Sequence, residues 1–293
     1  MTIALHCTFA PNDDDAALFA LAKEVGYESV EPLAPRGPAS GADPVQWPTE
    51  AESRAAVSVL RRLRDASGVR IDTVYGGGLW VLRDEDQPAR AEQDVACFSR
   101  LIPMLAEECG TRVITVNLAG TLMAPGVPYM ELDRHGSAVA TEVHYQRGAE
   151  ALHSLGEVAA RVGMAIGVEM HPVSLADSAA TALRLVEMAK HPAVGITWDM
   201  GNFIRMGRAE PWGRQLDILF PHIVSVHLKN GLSNKEGWRR STLEFGAMED
   251  MAAQVQTLRD WGYRGALVVE APGLKSGQRE MAQTDLAFLK NNI

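Results

Sequence analysis

Four side chains able to ligate a metal stand at matching places in the chain. Glu169, Asp199, His227 and Glu270 each come at the end of a short apolar run. The runs are Ala-Ile-Gly-Val-Glu-Met-His-Pro at 165–172, Gly-Ile-Thr-Trp-Asp-Met-Gly-Asn at 195–202, His-Ile-Val-Ser-Val-His-Leu-Lys-Asn at 222–230 and Gly-Ala-Leu-Val-Val-Glu-Ala-Pro at 265–272. Runs of this length and character read as parallel strands buried on both faces, each presenting a ligand-type residue at its C-terminal end. Three carboxylates drawn to one place would not all stay ionised without a cation between them. An oxygen-rich set with one imidazole suits Mn²⁺ or Mg²⁺ better than a structural Zn²⁺, with Co²⁺ or Zn²⁺ as substitutes in vitro. Singly, each residue has a plainer reading as a salt-bridged rim carboxylate, a helix cap or a core histidine. As a set, acidic groups behind four apolar runs need a partner, and one divalent ion supplies it.

These residues lie 30, 28 and 43 positions apart, close to one strand-and-helix unit each. The same alternation runs through the whole sequence. Strands are expected at Ile3–Thr8, Glu28–Pro32, Val69–Tyr75 and Arg112–Asn117, followed by the four ligand-bearing strands. Helices are expected at about Asn12–Val25, Thr49–Ser67, Pro88–Cys109, Thr141–Val162, Asp177–Lys190, Pro211–Phe220, Met248–Trp261 and Gln278–Lys290, with Pro103 predicting a kink or a break in the third. Gly76, Gly77 and Gly78 lack the spacing of a dinucleotide fingerprint and read as backbone freedom at a strand end. Residues 118–140 form a long irregular connection, for which a lid or disorder is the expectation. Eight units of roughly 37 residues imply parallel pairing with right-handed crossovers, closing into a single (β/α)8 barrel domain over 1–293. In such a barrel every strand's C-terminal end opens onto one face, so the four ligands converge.

Composition narrows the class further. Hydrophobic residues at 46% and charged residues at 22% fit a globular protein with a sizeable core. No apolar run approaches the roughly 20 residues of a membrane span, and there is no leader-like N-terminus, so a cytoplasmic protein without a membrane partner is expected. Cys7, Cys97 and Cys109 are too few and too scattered for a disulfide framework or a thiolate metal site. A net charge of -9 argues against nucleic acid as a partner. The dense basic stretches are Arg61, Arg62 and Arg64, read as a solvated helix face, and Arg239 with Arg240, read as part of a loop after the His227 strand.

With these motifs in hand, the sequence resembles the sugar phosphate isomerase/epimerase superfamily of xylose isomerase-like barrels over nearly its whole length. The resemblance rests on Val168-Glu169-Met170-His171-Pro172, Trp198-Asp199-Met200-Gly201-Asn202, Val226-His227-Leu228-Lys229-Asn230 and Val269-Glu270. It implies that Glu169, Asp199, His227 and Glu270 hold one divalent metal, Mn²⁺ foremost and Mg²⁺ or Co²⁺ in its place. It also implies that Glu169 and Glu270 are the catalytic acid/base pair. The chemistry implied is proton transfer next to a carbonyl of a small carbohydrate through an enediolate, giving isomerisation or epimerisation. The alternative on the same scaffold is a lyase, dehydrating a keto-inositol or cleaving a 3-keto-glycoside or C-glycoside by β-elimination. A homo-oligomer or a subunit of a small complex is expected.

Two positions depart from many relatives: Asn202 stands where they carry a His, and Asn230 where they carry an Asp. Around the centre, His171, Asn202, Lys229, Asn117 and Arg239 are the substrate-binding candidates. His171 reads either as a donor to substrate or as structural before Pro172, and Lys229 as an oxyanion partner or a partner of a rim carboxylate. Arg239 and Arg240 could clamp a phosphate or carboxylate, or simply sit at the surface. His6 and Glu31 at the first two strand ends, His144 and Tyr145 after the long connection, and Glu244 are weaker candidates, with Glu244 read as a helix cap. Trp80, Trp198 and Trp212 fit either a sugar-binding wall or the core.

Overall fold

The computed structural model describes residues 1–10, 14–35, 47–79, 88–118, 122–204, 210–234, 237–248, 250–274 and 276–293. Eight strands form one parallel sheet: β1 (Thr2–His6), β2 (Ser29–Glu31), β3 (Thr73–Gly78), β4 (Val113–Asn117), β5 (Ala165–Glu169), β6 (Val194–Asp199), β7 (Ile223–Leu228) and β10 (Ala266–Val269). Their order is β2-β1-β10-β7-β6-β5-β4-β3. Bridges between Ser29 and Arg70 and between Leu33 and Tyr75 join the two edges, so the barrel is nearly closed. The helices between strands are α1 (Asp15–Val25), α2 (Glu50–Ser67), α3 (Pro88–Met104), α4 (Glu142–Arg161), α5 (Ala179–Ala189), the short α6 (Gly201–Ile204), α7 (Trp212–Leu219), α8 (Met251–Asp260) and α9 (Gln278–Asn292). The chain is therefore the expected (β/α)8 barrel. No described helix is long and apolar enough to cross a membrane.

Local chemistry sets the helix ends. Asp14 caps α1 by accepting the Ala17 N–H, and Gly26 closes that helix at φ 95°. Thr49 and Glu52 form a reciprocal capping box at the start of α2. On the outer face of α2, Arg61 and Arg62 are exposed as expected, Arg61 pairing with Glu108, while Arg64 is half-buried and pairs with Asp65. Pro103 does not break α3. The helix continues to Met104 and then widens into a π-type turn over Leu105–Cys109, consistent with the hydrogen bond that a proline cannot donate.

Side chains alternate across each strand. Trp198, Val226 and Leu228 are buried in the apolar layer between strands and helices. The alternate positions hold Thr115, Thr197 and Ser225, and then the acidic and imidazole residues at the strand ends, all buried. The barrel thus has an apolar jacket and a largely polar interior, with a small apolar patch of Ala4, Ala266 and Val268, and the site sits at the top of that interior. At β3 the register shifts between Tyr75 and Gly77. Gly77 has φ 69°, and a Cβ on Gly76 would lie 2.9 Å from the Thr115 carbonyl oxygen, so this glycine run is a backbone requirement, as read from the sequence.

Two segments differ from expectation. The stretch after β7 is not a loop but an antiparallel hairpin, β8 (Asn230–Asn234) and β9 (Gly237–Ser241), which places Arg239 and Arg240 on a strand. Within the connection from β4 to α4, residues 122–140 are folded rather than disordered. They carry two 3₁₀ turns, Leu132–Arg134 and Gly136–Ala138, around the buried His135, which accepts the Ala124 N–H at 3.0 Å and lies 3.1 Å from the Pro128 carbonyl oxygen.

Candidate metal centre and active site

Glu169, Asp199 and His227 come from the C-terminal ends of β5, β6 and β7, and Glu270 immediately follows β10. Register places them side by side, with Asp199 opposite His227 in the β6–β7 ladder. One potential ligand atom from each of the four lies within 4.8 Å of the others, and all four residues are buried. The imidazole Nδ1 of His227 is 2.9 Å from Glu270 Oε1, 3.6 Å from Glu169 Oε1 and 3.9 Å from Asp199 Oδ2. Neither nitrogen of His227 has an aligned hydrogen-bond partner.

Neighbouring residues anchor this group. Lys229 places its ammonium 2.5 Å from both Asp199 Oδ2 and Glu270 Oε2. Asn202 donates its amide to Asp199 Oδ2 (2.8 Å), the Met170 carbonyl (3.0 Å) and Glu169 Oε1 (3.2 Å). Asn117 donates to Glu169 Oε2 and to the Tyr75 hydroxyl oxygen, both at 3.0 Å. Each oxygen of Glu169 is thereby held by an amide. A Cβ on Gly201 would lie 2.1 Å from Cγ of Lys229, so the lysine stem runs through the space that a side chain there would fill.

Charge crowding shifts the pKa values of these groups. Burial pushes Asp199 up, and Glu270 and Glu169 add to the push while Lys229 opposes it, to about 7. For Glu169 burial again raises the pKa, yet the close approach of the His227 imidazole, 3.6 Å away, and the nearby His171 pull it down to about 2. Glu270 is likewise lowered, with Lys229, His6 and His227 overcoming burial. Burial alone would lower His227, but the carboxylates of Glu31 and Glu270 hold it well above the ordinary imidazole value. Carboxylates that share a site and split in this way carry more negative charge than the local cations balance. Three carboxylate oxygens and an imidazole nitrogen without an aligned hydrogen bond fit a hard divalent cation.

The remaining candidates divide clearly. His6 and Glu31, at the ends of β1 and β2, belong to the cluster. His6 Nε2 lies 3.5 Å from both Glu31 Oε2 and Glu270 Oε1, and its Nδ1 accepts the Thr8 N–H. His171 is half-buried beside Glu169, with Nδ1 2.7 Å from the Pro172 carbonyl oxygen. Arg239 is exposed on β9, opposite Leu232. Arg240 is unavailable as an anion clamp. It is buried and donates to the Glu270 carbonyl oxygen (2.7 Å), the Asn230 carbonyl oxygen (3.2 Å) and Asp285 Oδ2 (2.7 Å). Asn230 ties down the segment after the hairpin: its amide donates to the carbonyls of Leu243 and Met248, and its oxygen accepts from the N–H groups of Gly231 and Met248.

His144 caps α4 by accepting the Thr141 N–H, and the buried Tyr145 donates to the Leu175 carbonyl, so both serve the scaffold. Glu244 is exposed. Trp198 is core, its indole N–H bound to Gln215 Oε1; Trp212 packs against the core from α7; Trp80 lies outside the described residues. Sequence reasoning missed Tyr75, which caps the Asn117–Glu169 pair and stacks edge-on against His6 with ring centroids 4.9 Å apart. Its signal was positional, since it ends the regular part of β3 just before the glycine run.

A family profile for xylose isomerase-like TIM barrels matches residues 19–292. No curated protein sequence matches the chain. Among solved structures the fold is shared with YcjR, the 3-keto-D-glucoside 4-epimerase from E. coli (TM-score 0.72, 18% identity, 99% of each chain covered). It is shared with AsbF, the probable 3-DHS dehydratase involved in petrobactin synthesis from Bacillus anthracis (TM-score 0.71, 19% identity, 100% of each chain). It is also shared with D-allulose 3-epimerase from Methylomonas sp. in complex with D-allulose (TM-score 0.75, 15% identity, 100% of this chain and 97% of that one). At these identities the likeness is one of fold.

Proposed function

Because the chain belongs to the xylose isomerase-like TIM-barrel family, we propose that it is a divalent-metal-dependent sugar isomerase or epimerase, with Glu169 and Glu270 moving a proton next to a carbonyl through an enediolate. The observation that carries this reading is the convergence of Glu169, Asp199, His227 and Glu270 within 4.8 Å, buried, around an imidazole with no aligned hydrogen bond. A cation held there, Mn²⁺ foremost, would polarise the substrate carbonyl and acidify the neighbouring C–H.

The chain's own residues would do the rest. Glu169, fixed by Asn117 and Asn202 and held ionised, is ready to accept a proton at Oε1 or Oε2. Glu270, hydrogen-bonded by Lys229, is the second carboxylate of the pair and would return a proton after taking one up from solvent or from the Lys229 ammonium. Lys229, its ammonium kept charged by Asp199 and Glu270 against burial, is placed to stabilise a developing oxyanion. His171 and Tyr75 would offer polar contacts to the remaining hydroxyls, and Arg239, exposed on β9, would meet the substrate from the rim.

A lyase is the second reading, favoured by one comparison: AsbF, a barrel of the same fold, bears the name probable 3-DHS dehydratase. On that reading the same proton abstraction ends in loss of a β-substituent. Incubation of the Mn²⁺-treated protein with ketoses and 3-keto-glycosides in ²H₂O decides between them. Solvent deuterium at one carbon with otherwise unchanged composition supports the isomerase, and release of water or an aglycone the lyase. Turnover that survives exhaustive chelation by EDTA would overturn both.

A further inference from the structure

Glu31 lies across the barrel from His227. β2 is separated from β7 in the sheet by β1 and β10, so the two residues can meet only through the interior. Glu31 Oε2 is 2.9 Å from His227 Nε2, the ring nitrogen opposite the one that faces Glu169, Asp199 and Glu270. Both atoms are buried, and neither has an aligned hydrogen-bond partner. Leaving two such groups unpaired is costly, whereas one N–H···O bond between them satisfies both. The other Glu31 oxygen is already committed, accepting from Thr115 Oγ1 at 3.2 Å, and Thr115 in turn lies 3.2 Å from Thr197 Oγ1. His6 Nε2, at 3.5 Å, is beyond an ordinary hydrogen bond to Glu31. The ring stands between Glu31 and the other ligands, so this carboxylate is placed to act through His227.

We propose that Glu31 is a positioning residue for His227, accepting its Nε2–H so that the Nδ1 lone pair is presented to the cation, with Thr115 and Thr197 holding Glu31 in place. A carboxylate behind a ligating imidazole fixes the tautomer and ring orientation and raises the basicity of the ligand nitrogen. The inference rests on the metal-site reading above and extends it by one residue on the opposite wall.

The test is titration of Mn²⁺ into the EDTA-stripped full-length protein by calorimetry. Wild type should take up one ion. Glu31→Gln should bind about 10- to 100-fold more weakly with unchanged stoichiometry, and Thr115→Val should fall between the two. In ¹H–¹⁵N spectra of the Mg²⁺-loaded protein, wild-type His227 should show a protonated Nε2, and that signal should shift or broaden in Glu31→Gln. Equal affinity in wild type and a folded Glu31→Gln would overturn the proposal. Should Glu31→Gln not fold, equal affinity in Glu31→Asp and Thr115→Val would overturn it in the same way. Failure of the wild type itself to bind the metal would sink the metal-site reading instead.

Discussion

Two clusters of buried charge stand next to each other at the top of this barrel, and they are built on opposite principles. Arg240 and Asp285 form a closed pair. The guanidinium is shared among Asp285 and the carbonyls of Glu270 and Asn230, and the second Asp285 oxygen takes the Leu243 N–H at 2.7 Å. The group around His227 is open: both imidazole nitrogens and Glu31 Oε2 lack an aligned partner, and the carboxylates outnumber the local cations. Buried ions that serve structure exhaust their hydrogen-bonding capacity; those that serve chemistry keep some in reserve for a ligand. The two are also joined, because Arg240 grips the backbone of Glu270.

The contrast can be broken most forcefully at Glu270. Glu270→Gln should lower turnover by about three orders of magnitude, the scale of a lost acid/base group, while leaving the melting temperature of the chelated protein nearly unchanged. An active Glu270→Gln would remove this residue from the mechanism. The closed pair should respond in the reverse sense. Asp285→Ala strands a buried guanidinium and should reduce stability by about 3–5 kcal/mol in urea titration. Replacing both members, in Arg240→Met with Asp285→Leu, should recover most of that loss; if the double variant is no more stable than Asp285→Ala, the pair is not the closed unit described here.

A change of pH should act on the open cluster. Asp199 is raised to about 7 and His227 lies above its ordinary value, so both hold protons at and below neutrality until a cation displaces them. Manganese affinity should therefore strengthen as pH rises through 7 and weaken below it, by up to about tenfold per unit for each proton displaced. A pH-independent dissociation constant between pH 6 and 8 would contradict this. The smallest effect is expected at Asn230. An aspartate there loses the two donors to Leu243 and Met248, so Asn230→Asp should reduce stability by about 1–3 kcal/mol. A folded variant that instead changes substrate preference would reassign Asn230 to the pocket.

The barrel and the meeting of Glu169, Asp199, His227 and Glu270 at its top were legible because each depends on a local pattern, an apolar run with a polar end. Trp198, left open in the sequence between a sugar-binding wall and the core, is core because it precedes Asp199 by one residue and neighbours on a strand face opposite sides. The pairings across the interior were not legible. Glu31 with His227, Tyr75 with Asn117 and Arg240 with Asp285 are set by where the barrel closes, and no spacing along the sequence encodes that. The hairpin was hidden for a related reason. Asn230 to Ser241 has few of the alternating apolar residues that mark a strand, and its pairing is reinforced at one end by Arg240 donating to the Asn230 carbonyl oxygen.

Gly201 carries no functional group, yet it sets the reach of the ammonium that balances Asp199 and Glu270, because the Lys229 methylenes lie where its side chain would begin. Even the smallest addition at that position, a single methyl, would displace a charge several bonds away. A search for active residues that looks only for acids, bases and metal ligands passes over such a position, although its emptiness is part of how the pocket is tuned.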